Sequence, residues 1–325
     1  MNFAWIRVLK VTLTNKFGST RTYGGVGSNT FSISAKIDKY LSCLKDSAII
    51  RIANIDYSEI LEVIRGEFFD ISVYAGYKNG NVTKVFEGGV LYASNSLNDI
   101  KTNELILICT SKLIAKFGQA KMSLTLNSSI NLYSAIKFIA RRANVDSYHI
   151  DEELKKYKID VNSSLKNASI QSWLNEIANA YDIAVSTDSS SGSTLSVSRL
   201  DFENLETGRI LTILNNAINL SGGYPRCTDD GVDLTAMVVA DFMPGDIVRL
   251  DNSILDISAH SINDVSKVYG NYLSLSGLYK IWEVHYVLEN RSPQFSANLI
   301  CKAKPQADID KQNTIRSYTG SGRSF

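Results

Sequence analysis

The sequence has little of what metal and redox chemistry is built from. It contains 3 histidines, His149, His260 and His285, and 4 cysteines, Cys43, Cys109, Cys227 and Cys301. No two cysteines lie within a few residues of each other, so no C-x-x-C metal or redox spacing exists. Histidines this scattered supply no zinc ligand set by spacing. Two of the cysteines sit inside apolar, strand-like runs, where a buried reduced thiol is the expected state. An excess of either charge is also missing: 34 basic and 33 acidic residues leave +1. That balance argues against an extended nucleic-acid-binding surface. No apolar run approaches the roughly 18–20 residues of a spanning helix, so membrane insertion is not expected. The start, MNFAWIRVLKVTLTNKF, alternates apolar and polar residues. It lacks the basic start, apolar centre and small-residue cleavage site of a signal peptide, and a cytosolic product is expected.

Catalytic constellations are equally thin. DISAHS (256–261) puts Asp256, Ser258 and His260 close in sequence. Hydrolytic triads are assembled in space, so a polar loop histidine is the expectation. DEE (151–153) clusters carboxylates as glycosidases require, but KK follows, and a solvated helix start is expected. YGGVGSN (23–29) lacks the Lys-Ser/Thr of a phosphate loop and leads into no helical pattern; a hairpin tip is expected. Asp229-Asp230-Gly231 lacks the other ligands of a calcium loop and reads as a turn. Basic residues form no stripe with interleaved aromatics. His285, on a strand, reads as a cross-strand or interface residue rather than a base. No catalytic, cofactor-binding or metal-ligating residue is assigned.

What the chain does have is strands. Phe31, Ile33, Ala35 and Ile37 alternate with polar residues, as do Ala48, Ile50 and Ile52. FFDISVYAGY (68–77), the turn KNGN (78–81) and VTKVFEGGVLYAS (82–94) make a hairpin, marked by its Asn-Gly pair. NSLNDIKTN (95–103) reads as a polar turn. ELILIC (104–109) is apolar on both faces, which predicts burial on both. Later come VDLTAMVVADF (232–242), the turn MPGD (243–246), IVRL (247–250) and a long strand over 278–289. There Trp282, Val284, Tyr286 and Leu288 share one face, opposite Glu283, His285 and Glu289.

Between these lies a helical texture. Leu132, Ile136, Ile139, Ala140 and Ala143 fall on one face of a helix over 129–145, capped by Ser128 or Ser129. Ile170, Trp173, Leu174, Ile177, Ala178 and Tyr181 do so over 169–183, capped by Ser169 or Asn167. Both stripes are expected to be core. IAVSTD (183–188), SSSGS (189–193) and TLSVSRL (194–200) make a second hairpin.

Residues 107–112 read LICTSK and residues 299–304 read LICKAK. Each hexamer follows the same order of strand, polar connection, long strand and polar turn. This predicts two related β-domains, 1–117 and 206–304, with an α+β module (118–205) inserted between them. The polar, Gly/Ser-rich tail 305–325 is expected to be flexible or ordered only on a partner.

AIIRIANI (48–55) and DISVYAGYKNGNVTKVFEGGVLYASNS (70–96) resemble the first domain of baseplate hub proteins of contractile-tailed phages. INLSGGYPRCTDDGVDLTAMVVADFMPGDIVRL (218–250) and YKIWEVHYVLENRSPQFSANLIC (279–301) are similar to later parts of that family, whose relatives occur in phage-tail-like bacteriocins and type VI secretion spikes. The resemblance implies an α+β but mainly β fold, with two tail-tube-like antiparallel β-barrel or sandwich domains and the α+β module between them. It further implies a homotrimer forming a pseudo-six-fold ring. That ring would join the tail tube, or a tube adaptor, to the central spike among other baseplate proteins, in the virion. Genomic DNA would only pass through, and no enzymatic activity is expected, since the chain stops about twenty residues after the second β-domain. Ile309, Ile315 and Tyr318, isolated in the polar tail, are the candidate partner contacts. A tube protein or distal adaptor is the alternative ring-former. A peptidoglycan-acting enzyme, with the α+β module binding glycan, is the third reading.

Overall fold

The computed structural model describes residues 6–26, 31–99, 102–126, 129–145, 147–159, 163–187, 193–200, 210–214, 225–228, 231–251 and 278–303. The protein is mainly β with antiparallel sheets, at 56% strand and 20% helix among the described residues. By packing it divides into two units. The first is Met1–Leu200 with Val238–Pro244 and Glu283–Ala297; the second is Asp201–Met237, Gly245–Trp282 and Asn298–Phe325.

The first unit opens with β1 (Arg7–Asn15), β2 (Thr20–Gly24), β3 (Ser32–Tyr40), β4 (Ser47–Ala53), α1 (Tyr57–Ile64), β5 (Phe68–Tyr77), β6 (Val82–Asp99) and β7 (Thr102–Ser111). Its strands lie in the order β3-β4-β7-β6-β5-β1-β2, each pair antiparallel. Period-two alternation decides the inner face. Leu9, Val11 and Leu13, Ile33, Ala35 and Ile37, Ala48, Ile50 and Ile52, and Leu105, Leu107 and Cys109 are all buried. The sheet is open rather than a closed barrel. Where β2 ends, Gly24 sits in the left-handed region at φ 75°, and a Cβ there would lie 2.3 Å from Leu9 O and 2.6 Å from Ile33 Cδ1. Those ends therefore meet by side-chain packing. NSLND is not a turn: β6 runs to Asp99, pairing Asn95 with Leu105 and Ser96 with Glu104. Backbone pairing does not require apolar side chains.

The rest of this unit is α2 (Lys112–Gln119), β8 (Lys121–Leu126), α3 (Leu132–Arg142), β9 (Ser147–Ile150), a 3-10 turn (Glu152–Lys156), β10 (Ser163–Ser169), α4 (Ile170–Tyr181), β11 (Ile183–Thr187) and β12 (Thr194–Arg199). α3 is capped by Asn131, whose side chain accepts from Ser134 N, not by Ser128 or Ser129. Ser169 caps α4. Asp151 caps the DEE turn, and Lys155 and Lys156 pair with Glu152 and Glu153. Trp173, Leu174, Ile136, Ile139 and Phe117 share one apolar core, joined by Leu44 from the β3–β4 loop.

The second unit holds β13 (Ile210–Leu214), β14 (Arg226–Thr228), β15 (Gly231–Met237) and β16 (Ile247–Asp251). It also holds parts of β17 (Leu278–Glu289) and β18 (Phe295–Lys302). β13 runs parallel to β16, and β16 antiparallel to residues 278–280. The MPGD turn is made by Gly245 at φ 97°. β17 then pairs residues 283–289 with β3. Its buried face does not follow one phase: Tyr279 and Ile281 are buried, then Val284, Tyr286 and Leu288. Trp282 is half-buried instead, because the alternation slips where the strand exchanges β16 for β3 as its partner.

Candidate interaction surface

The outer face of the first sheet departs from the burial read from the sequence. β7 is not buried on both faces along its length: Ile108 is 40% exposed. The ladders set Ile49 opposite Ile108, and Ile108 opposite Tyr92. Ile49 is 42% exposed and Tyr92 59%. Between Val90 and Tyr92 the register shifts, leaving Leu91 unpaired and 55% exposed. Scattered surface hydrophobes need no explanation, but contiguous ones mark contact surfaces. Covering one such side chain fully is worth about 1.5–3 kcal/mol. A groove of about 470 Å³ adjoins the row, lined among others by Leu91, Ile108, Ile114, Thr110, Gln171 and Asp46.

β6 also offers backbone. Its ladder with β5 ends at Gly89, opposite Asp70, while the strand continues to Asp99 against β7. From Gly88 to Asn98 it carries no charge and no proline. Exposed edges are normally blunted by lysine, proline or inward charge. The sequence of this stretch has none of these.

Two polar sites flank the groove and the sheet. Asp46 is buried: its Oδ1 accepts from Tyr40 N at 3.1 Å and its Oδ2 from the Thr187 hydroxyl at 2.5 Å. Burial pushes its carboxyl up to about 6, against those hydrogen bonds and the nearby Lys39 charge. Beside it, Leu44 N donates to Asn175 Oδ1, and Gln171 Nε2 to Leu44 O. The β3–β4 loop is thereby pinned to α4 and β11.

His285 lies opposite Asp38 across β17 and β3. Its Nδ1 is 2.7 Å from Asp38 Oδ1 and its Nε2 3.1 Å from Glu283 Oε2. Only the imidazolium has N–H donors for both. The Asp38 hydrogen bond leads in raising the imidazole above its usual range, against partial burial. The carboxylates sit on opposite ring nitrogens and do not converge on a cation position. His285 is a cross-strand residue, as its strand position implied.

Among the described residues no group of three or more His, Cys, Asp or Glu gathers to hold a metal. His149 is exposed on β9. His260 with its DISAHS context, Asp229-Asp230, and the tail candidates Ile309, Ile315 and Tyr318 lie outside the described residues. Sequence reasoning missed the apolar outer row, although ELILIC, apolar on both faces, was its signal.

No protein-family model matches the sequence, and no curated protein matches it. Solved structures do match by shape. A tail protein from Neisseria meningitidis MC58 aligns with TM-score 0.56 at 11% identity, over 91% of this chain and 96% of its own. The 43 kDa tail protein of prophage MuSo2 from Shewanella oneidensis aligns with TM-score 0.57 at 8% identity, over 90% and 98%. The E. coli c3393 protein aligns with TM-score 0.55 at 8% identity, over 87% and 76%. That last protein is a type VI secretion component with structural similarity to the T4 bacteriophage tail proteins gp27 and gp5. The chain has the fold of phage tail proteins. The resemblance read from short strand motifs holds at the level of fold. Among the described residues no helix is long and apolar enough to cross a membrane.

Proposed function

We propose that this chain is the structural baseplate hub of a contractile tail. In this reading it is a homotrimer whose two β-domains, 1–117 and 206–304, alternate around a pseudo-six-fold ring. The ring joins the tail tube to the central spike, contacts other baseplate proteins, and leaves a channel for DNA. It is a virion component without enzymatic activity.

The observation that carries this reading is the exposed Ile49–Ile108–Tyr92 row beside the uncharged, proline-free stretch of β6, on a tail-protein fold. A second, different edge is also uncharged: β13 pairs with β16 alone among the described residues, and no charge occurs from Ile210 to Leu214. Two unlike edges on one chain favour head-to-tail contacts, which close into rings, over a two-fold dimer.

Light-scattering mass with negative-stain imaging tests the reading, on the chain alone and co-expressed with its spike. Three times the 35.9 kDa chain mass, in a six-lobed ring, is expected. A six-chain ring would indicate a tube component instead. A chain that stays monomeric even with the spike would overturn the proposal.

A further inference from the structure

The helix α3 reads LYSAIKFIARR and contains no acidic residue. Leu132, Ala135, Ile136, Ile139 and Ala140 take its core side. Helical spacing leaves Tyr133, Lys137 and Arg141, with Ser134, Phe138 and Arg142, on the outward half. Arg141 and Arg142 are exposed, and so is Phe138, at 46%. Lys137 Nζ stands 5.3 Å from the Tyr133 ring centre, and Lys155 Nζ 5.0 Å from it. Arg141 Nε donates to the Tyr148 hydroxyl at 3.3 Å. Lys116 Nζ donates to Asn144 O just past the helix. Glu152 and Glu153 nearby are engaged by Lys155 and Lys156. Lys137, Arg141 and Arg142 make no ion pair among the described residues.

We propose that this outward face of α3 docks an acidic polypeptide segment, with Phe138 as the apolar contact beside Arg141 and Arg142. The plain alternative is a solvated helix end, where basic residues complement the helix dipole. That accounts for Arg141 and Arg142 in the last turn. It accounts neither for Lys137 in the middle nor for an aromatic ring set among the charges. The occupant follows from charge and ring geometry. A patch of one sign selects an anionic partner, and it acts locally, because the whole chain is near neutral and screening confines its field to about 8 Å in physiological salt. Single-stranded nucleic acid needs a series of open rings for successive bases. Here the Tyr133 ring is already flanked by two ammonium groups, which leaves Phe138 as the open ring of α3. One aromatic anchor among arginines is instead the composition of protein–protein hot spots. The inference stands whether or not the chain forms a ring.

The test uses the full chain and a fluorescent random copolymer of glutamate and tyrosine, read by anisotropy across a salt series. Binding that weakens with salt is expected. Arg141→Glu with Arg142→Glu should lower affinity roughly tenfold or more. Phe138→Ser should lower it several-fold without changing the salt slope. Lys16→Glu, far along the chain on an exposed loop, should change nothing. These side chains are exposed, so unfolding midpoints should stay put; Arg141→Gln with Arg142→Gln replaces the reversal if they do not. Absence of binding, wild-type binding by the variants, or tighter binding of an oligothymidylate of equal charge would each overturn the proposal.

Discussion

The Thr187 hydroxyl donates to the Asp46 carboxylate across 2.5 Å, with both residues buried. A loop between two sheet strands is thus fastened to a strand of the α+β module 141 residues further along the chain. The sign of its pH dependence follows from burial. The carboxyl is raised from 3.8 to about 6 in the folded chain. Between those values the folded state binds more protons than the unfolded one, so stability falls as pH rises. The expected contribution is on the order of 2–3 kcal/mol, present below about pH 4 and lost by about pH 6. Urea unfolding of wild type and Asp46→Asn across that window checks it: the variant should show a flatter pH profile.

His285 should titrate above the ordinary histidine range, for the imidazolium alone satisfies both Asp38 and Glu283. Its contribution to stability is then full below about pH 6.5 and disappears as pH climbs through the raised folded value. An NMR titration of the ring protons measures this directly. Asp38→Asn should move the midpoint down; an unchanged midpoint would mean that Asp38 is not the dominant partner.

Leu91→Lys with Tyr92→Lys should abolish self-association while leaving the unfolding midpoint almost unmoved. Both side chains are over half exposed in the isolated chain, and surface changes of this kind cost within about 0.5 kcal/mol. Sedimentation velocity separates the outcomes. Full assembly by the double variant would show that the β6 edge is not a contact.

Gly24→Ala should destabilise by more than about 2 kcal/mol, combining a left-handed backbone with a clash against main chain. The added methyl would sit 2.3 Å from Leu9 O, which cannot turn aside as a flexible side chain can. A guanidinium unfolding curve with reduced midpoint and unchanged slope is the expected result.

Strand alternation around Ile33, Ala35 and Ile37, the Asn-Gly hairpin and the α4 stripe were all legible, because each is a local pattern with a fixed period. α1 and α2 were not read, although Leu113, Ile114 and Phe117 carry helical spacing; eight residues hold barely two turns of it. β13 was missed because ILTIL is too short to show a period. Trp282 was set on the wrong face, since a phase slip caused by a change of ladder partner leaves no local mark. The candidate surface was visible only as a contradiction: ELILIC reads as buried on both sides, and one side meets water.

Cys109 and Cys301 are buried on β7 and β18, and desolvation pushes both thiols up, Cys109 to about 12. A thiolate is what alkylating reagents capture. These two sulfurs are therefore silent while their strands stay paired, and Cys43, only partly buried, reacts before either of them. The chain carries its own stopwatch. The delay between labelling at Cys43 and labelling at Cys109 times the opening of the central sheet, with no probe added.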